Sequence, residues 1–157
     1  MARSIGIHIF VGAFAAFVCG TVQAQAGHYE LVNLGTLGGV SSEGFDINID
    51  GEIAGQSRLA TGTNNHGFFW SESTGLIDVG TLGGTGSEAW GINDHGHVVG
   101  RATVLSGTWN AFLWINGSIT NVYPASYRTD AIAINNDGII VGGAETVPEG
   151  VGFVRLS

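Results

Sequence analysis

Apolar residues along this chain fall into short runs broken by Gly, Asn, Asp and Pro. Beyond residue 26 no stretch repeats them at the helical period of about 3.6, so strands are expected throughout. Trp90 and Ile92 share one strand face, and the small Ala89 and Gly91 take the other. Asn93-Asp94-His95-Gly96 reads as a turn, because Asn and Gly tolerate the backbone angles of a tight reversal. His97 to Ala102 predicts a second strand, apolar on both faces. Ala111 to Ile115 predicts a third, and Ser118 to Val122 a fourth across an Asn116-Gly117 turn. Strands apolar on both faces imply sheets packed on sheets.

This four-strand pattern repeats along the chain. Gly35-Thr36-Leu37-Gly38-Gly39 returns as Gly80-Thr81-Leu82-Gly83-Gly84, and Tyr123-Pro124-Ala125-Ser126 stands at the third position. Ile47-Asn48 with Gly51 returns as Ile92-Asn93 with Gly96 and Ile134-Asn135 with Gly138. Ile53-Ala54-Gly55 matches Val98-Val99-Gly100 and Ile140-Val141-Gly142, where glycine permits close contact. Gly67-Phe68-Phe69-Trp70 matches Ala111-Phe112-Leu113-Trp114 and, more weakly, Gly152-Phe153-Val154-Arg155. The units run over about 35–79, 80–122 and 123–157. Leu31 to Leu34 resembles Leu76 to Val79, a fourth strand, whereas Phe153 to Leu156 resembles a third. The expected fold is therefore all-β, with three four-stranded antiparallel, propeller-blade-like units closed by pairing of the N- and C-terminal strands, residues 29–34 completing the last unit. A β-trefoil or β-prism is the alternative, since propellers usually close with about four or more blades.

The Gly-Thr-Leu-Gly-Gly turn, the Ile-Asn-x-x-Gly-x-Val-Val-Gly run and the aromatic third strand together resemble the bacterial extracellular HAF repeat. No unit carries the full eponymous triplet: His66-Gly67-Phe68 and Asn110-Ala111-Phe112 stand in its place. The resemblance implies export and a propeller-like array. It brings no established activity and no catalytic residues.

The N-terminus changes the compartment expected. Arg3, the apolar run Ile5 to Val18 and Ala24-Gln25-Ala26 read as a secretory signal peptide, residues 1–26, leaving 27–157 as one β-repeat domain. A lipoprotein signal ending at Cys19 is the alternative. Either places the chain outside the cytoplasm, secreted to the extracellular space or the periplasm, with no membrane span once the signal is removed. The only cysteine lies in this segment, so the remainder relies on packing rather than disulfides. Beyond the signal the only basic residues besides histidine are Arg58, Arg101, Arg128 and Arg155, against thirteen Asp and Glu. That balance argues against nucleic acid as a partner.

Candidate chemistry is sparse. No Gly-x-Ser-x-Gly elbow occurs, and His66, His95 and His97 have no nameable catalytic partners, so no enzyme is expected. His95-Gly96-His97 straddles a turn without a closed ligand set. Asp46, Asn48 and Asp50 begin a D-x-N-x-D-G calcium loop. Ser57 stands where its acidic twelfth residue belongs, so a hairpin turn is preferred and no cofactor is expected. Glu43, Glu88 and Asp130 each precede the first strand of a unit after Ser or Thr. In a closed ring they would share one opening and hold a cation or a polyol; otherwise they cap strands. Trp70 and Trp114 recur in strands and read as core, whereas Trp109 and Tyr127 do not recur and read as a loop platform for stacking a sugar. The function expected is an exported binding module for a glycan or protein, against a purely structural or adhesion repeat and a small hydrolase.

Overall fold

A computed structural model describes residues 29–61, 63–145 and 150–155. Contacts divide the chain into Met1–Leu31, of which only Tyr29 to Leu31 are described, and Val32–Ser157, which carries all the described strands. The expected signal segment lies outside the described residues.

Among the described residues eleven strands form three antiparallel sheets. The first sheet contains β1 (Gly38–Ile47), β2 (Ile53–Leu59), β3 (Asn65–Ser71) and β4 (Gly75–Asp78), in that order. The second repeats it with β5 (Gly83–Ile92), β6 (Val98–Val104), β7 (Trp109–Ile115) and β8 (Ser118–Asn121). The third has β9 (Thr129–Ile134), β10 (Ile140–Glu145) and β11 (Gly150–Arg155). Substantial strand packing runs from the first sheet to the second and from the second to the third. Among the described residues no helix is long and apolar enough to cross a membrane.

The repeated motifs each have a steric or hydrogen-bonding cause. In Ile-Asn-x-x-Gly, Asn48 Oδ1 accepts from the N–H groups of Asp50 (3.1 Å) and Glu52 (2.9 Å), and Asn93 and Asn135 repeat the arrangement. The closing glycines take positive φ, +77° at Gly51 and +70° at Gly96, which a side chain would strain. At Gly55, Gly100 and Gly142 an added Cβ would lie 2.1, 1.9 and 2.0 Å from the carbonyl oxygens of Glu43, Glu88 and Asp130. Those cross-strand approaches accompany the β-bulges at Gly44/Asp46, Ala89/Gly91 and Val141/Gly142. In the Gly-Thr-Leu-Gly-Gly turn, Gly38 and Gly83 take positive φ, and the Thr36 and Thr81 hydroxyls donate across it to Gly39 and Gly84. The third unit lacks this turn. There the buried Asn110 amide donates to the carbonyls of Ala125 and Tyr127, and β9 starts later in its unit than β1 and β5 do.

Two apolar layers lie between the sheets. Ala54, Phe69 and Val79 pack against Ala89, Ile92, Val98 and Trp114, with Phe69 and Trp114 stacked at 5.3 Å. Val99, Ala111 and Val122 pack against Ala131 and Ile140, with Phe153 alongside. Each layer is pinned by a buried hydroxyl. Ser87 Oγ accepts from Gly67 N–H (2.9 Å) and donates to Gly80 (2.6 Å); Thr129 Oγ1 accepts from Ala111 N–H (2.9 Å) and donates to Tyr123 (3.2 Å). At the turn edge, Asn48 Nδ2 donates to Asn93 O and Asn93 Nδ2 to Asn135 O, both at 3.0 Å.

The expected closing strand is not formed within the described fold. Leu31 to Leu34 carry no strand, Leu31 is 99% exposed, and β11 pairs only with β10. The short link Gly35 to Leu37 ties Leu34 to the first sheet, where it sits beside Gly44, whereas β11 belongs to the third. Trp109, expected in a loop, opens β7.

Two substitutions probe these contacts in urea unfolding. Ser87→Ala strands the Gly67 N–H in the core and is expected to cost about 2 kcal/mol. Gly100→Ala drives a methyl into a backbone carbonyl and is expected to cost more than about 4 kcal/mol or to abolish cooperative unfolding.

Candidate functional site

The residues that open each unit line up across the three sheets. Glu43 faces Gln56, Glu88 faces Arg101, and Asp130 faces Gly143 at matching cross-strand positions. The pairing residue therefore changes from amide to guanidinium to nothing, and Arg101 serves two sheets. It bonds Glu88 at 2.8 Å within its own sheet and reaches Asp130 of the third at 3.6 Å. Its guanidinium lies over the rings of Trp90 (4.8 Å) and Trp109 (4.6 Å). Arg128 adds contacts to Asp130 (2.9 Å) and Glu145 (3.3 Å). The hydrogen bond to Asp130 is the main reason the Arg128 pKa is raised.

Of the three carboxylates, Glu88 and Asp130 are thus brought to one cation. Glu43 instead accepts from the Gln56 amide at 3.1 Å, and Gln56 accepts from Asn65 at 3.1 Å. Two depressions adjoin at Asn65. One, of about 80 Å³, is lined by Glu43, Gln56, Arg58 and Asn65 among others. Arg58 Nε is buried with no hydrogen-bond partner among the described residues. The other, of about 170 Å³, lies at the seam of the first and second sheets, with Asn64, Asn65, Thr85, Glu88, Thr103 and Trp109 in its wall. Glu88 and Trp109, both singled out from sequence, therefore share one depression. Tyr127 lies elsewhere, beside Tyr123, whose hydroxyl bond is the main reason the Tyr127 pKa is raised.

The Asp46 and Asn48 side-chain oxygens of the D-x-N-x-D-G run are engaged in the fold. Asp46 accepts from Ile47 N–H (2.9 Å) and, across the seam, from Ile92 N–H (3.0 Å). Asn48 orders its own turn, and Asp50 supplies its N–H to that turn. His95 and His97 face each other at 5.7 Å, and among the described residues no group of three His, Cys, Asp or Glu is placed to hold a metal ion. His66 Nδ1 contacts Asp78 at 2.9 Å. Burial acts most strongly on Asp78 and opposes its ionisation, but hydrogen bonds from His66 and Gly80 outweigh it and its pKa is lowered.

The largest of these depressions, about 360 Å³, was not read from sequence. It lies between the turns of the first two sheets, with Phe69, Ile77 and Trp114 as apolar wall and Glu52 and His95 at hand. Arg101 was also missed as a centre. Its signal was present as the arginine cross-strand from the repeated acidic position, but its link to Asp130 depends on how two sheets stack.

Fold and site together define an all-β repeat protein of stacked antiparallel sheets. Comparison with protein-family models, curated proteins and solved structures finds no match for the chain.

Two measurements follow from this geometry. Arg101→Met leaves the part-buried Glu88 without its cation, while Asp130 keeps Arg128, and is expected to cost about 2 kcal/mol in urea unfolding, with changed tryptophan fluorescence from Trp90 and Trp109. The His97 pKa is held below 6.5, first by burial and then by the charge of His95. Between the folded and unfolded pKa values the unfolded chain binds more protons, so this contribution is present above pH 6.5 and is lost as the pH falls through the folded value. The urea midpoint is expected to drop on acidification through this range, and His97→Gln to lessen the drop.

Proposed function

We propose that this chain is an exported repeat module that binds a neutral glycan at the seam of its first two sheets, a member of the bacterial extracellular HAF repeat group with blade-like units. The observation that carries this reading is the depression shared by Glu88 and Trp109. It offers an indole wall, a carboxylate oxygen and the amides and hydroxyls of Asn64, Asn65, Thr85 and Thr103. Sugars present the complement: a C–H face that stacks on an aromatic ring and hydroxyls that pair with fixed polar groups. The acidic chain also disfavours anionic ligands, which leaves neutral polyols as the class that fits. The module binds its ligand without transforming it, and works outside the cytoplasm after cleavage behind Ala26.

Calorimetric titration with a panel of neutral oligosaccharides tests the site. Trp109→Ala is expected to weaken binding about tenfold, the worth of one aromatic contact. Absence of heat with every sugar, or unchanged affinity in Trp109→Ala, removes the glycan reading. A thermal shift produced by calcium and lost in Asp46→Asn would instead favour the cation alternative. N-terminal sequencing of the exported protein is expected to begin at Gly27; a start at lipidated Cys19 would place it on a membrane anchor.

A further inference from the structure

The two outer faces of the three-sheet stack carry apolar residues at the repeat positions that are buried at its inner seams. On the first sheet's outer face, Ile47 is 62% exposed, whereas its counterpart Ile92 is 6% exposed against the first sheet. Phe45 is exposed beside it, and Leu34, Gly44, Ile47 and Ile53 border an open depression of about 230 Å³. On the third sheet's outer face, Val154 is 61% exposed, whereas its counterpart Phe69 is 8% exposed against the second sheet. Val141 is exposed as well, where its counterparts Ala54 and Val99 are fully buried. The two faces are complementary rather than alike, because each inner seam joins one face of the first kind to one of the second.

The polar contacts of the inner seams are also left half-made at the ends. Among the described residues the Asn135 side-chain amide has no acceptor, whereas Asn48 and Asn93 each donate to the next turn. Ser42 donates to Gly35 as Ser87 does to Gly80, but among the described residues nothing supplies Ser42 with the N–H that Ser87 receives from Gly67. Within their own sheets Val79 and Val122 extend the fourth strand, donating their N–H groups to Gly67 and Ala111 of the third, and Leu34 is their counterpart at the open end.

We propose that a second copy of this chain docks head to tail on these faces, its third sheet covering the first sheet of its neighbour. The inner seams supply the contacts. Val141 and Val154 of one copy cover Ile47 and Ile53 of the next, Asn135 Nδ2 donates to Asn48 O, Gly152 N–H donates to Ser42 Oγ, and Leu34 N–H donates to Gly152 O. The strand pairing expected from the repeat pattern between Leu34 and the Phe153 strand is thus made between copies. Such a contact is heterologous, using two different patches, and it ends only by closing a ring. Two copies bring six sheets together, within the usual four to eight of a closed propeller. This assembly stands or falls independently of any glycan at the Glu88–Trp109 depression.

Light scattering and sedimentation of the full chain over a range of concentrations test the proposal, with a two-chain species expected. Ile47→Glu spoils the head alone and Val154→Glu the tail alone; each is expected to run as a single chain with unchanged near-ultraviolet dichroism. An equimolar mixture of the two retains one intact head and one intact tail, so it is expected to regain the two-chain species. If either glutamate variant loses its dichroism, Ile47→Thr and Val154→Thr carry the same comparison. A wild-type chain that stays single at every concentration overturns the proposal. So does self-association that survives both substitutions, or a mixture that fails to reassemble, which would mark a symmetric contact between like faces.

Discussion

A sheet that is apolar on both faces needs a neighbour on each side, and this requirement organises the protein. The second sheet has both neighbours, and its Ala89, Val98, Val99 and Phe112 are fully buried. The first and third sheets each have one. Their outer faces keep the same kinds of side chain but leave them in water. Burial of apolar area is the main source of stability in a chain without disulfides beyond its N-terminal segment.

Apolar contact alone would let one sheet slide over the next. The buried hydroxyls of Ser87 and Thr129 and the amides of Asn48 and Asn93 prevent this, because each satisfies a backbone group of the adjacent sheet at one register only. Displacement would leave the Gly67 and Ala111 N–H groups buried and unpaired, which costs more than the bonds themselves are worth. The glycines at Gly55, Gly100 and Gly142 work inside each sheet, letting the first strand bulge toward the second. That bulge carries Glu43, Glu88 and Asp130 at matching places beside the seams.

Arg101 shows how stacking creates a site that no single repeat contains. Its guanidinium joins carboxylates from two sheets and two indole rings from one. In the first sheet Gln56 takes that place, and the pairing there is a neutral hydrogen-bond chain through Asn65. One repeat pattern thus yields an ionic end and a neutral end, with the Glu88–Trp109 depression between the first and second sheets.

The sequence by itself determined the local structure: all-β units, turns at Ile-Asn-x-x-Gly, hairpins in order, and Trp114 in the core. These follow from short-range rules, namely strand alternation, turn stereochemistry and the need of Gly and Asn for particular backbone angles. Repetition made them legible, because three copies of one pattern expose which positions matter. It also placed Glu88 and Trp109 among the residues worth weighing. Only the tertiary structure decided that Trp109 lies in a strand, that Arg101 binds Glu88 and Asp130, and that Leu31 to Leu34 leave the third sheet with three strands. Each of these depends on which sheet faces which and on how far a short link can reach. Those are distances between residues remote in the chain, and no local pattern encodes them.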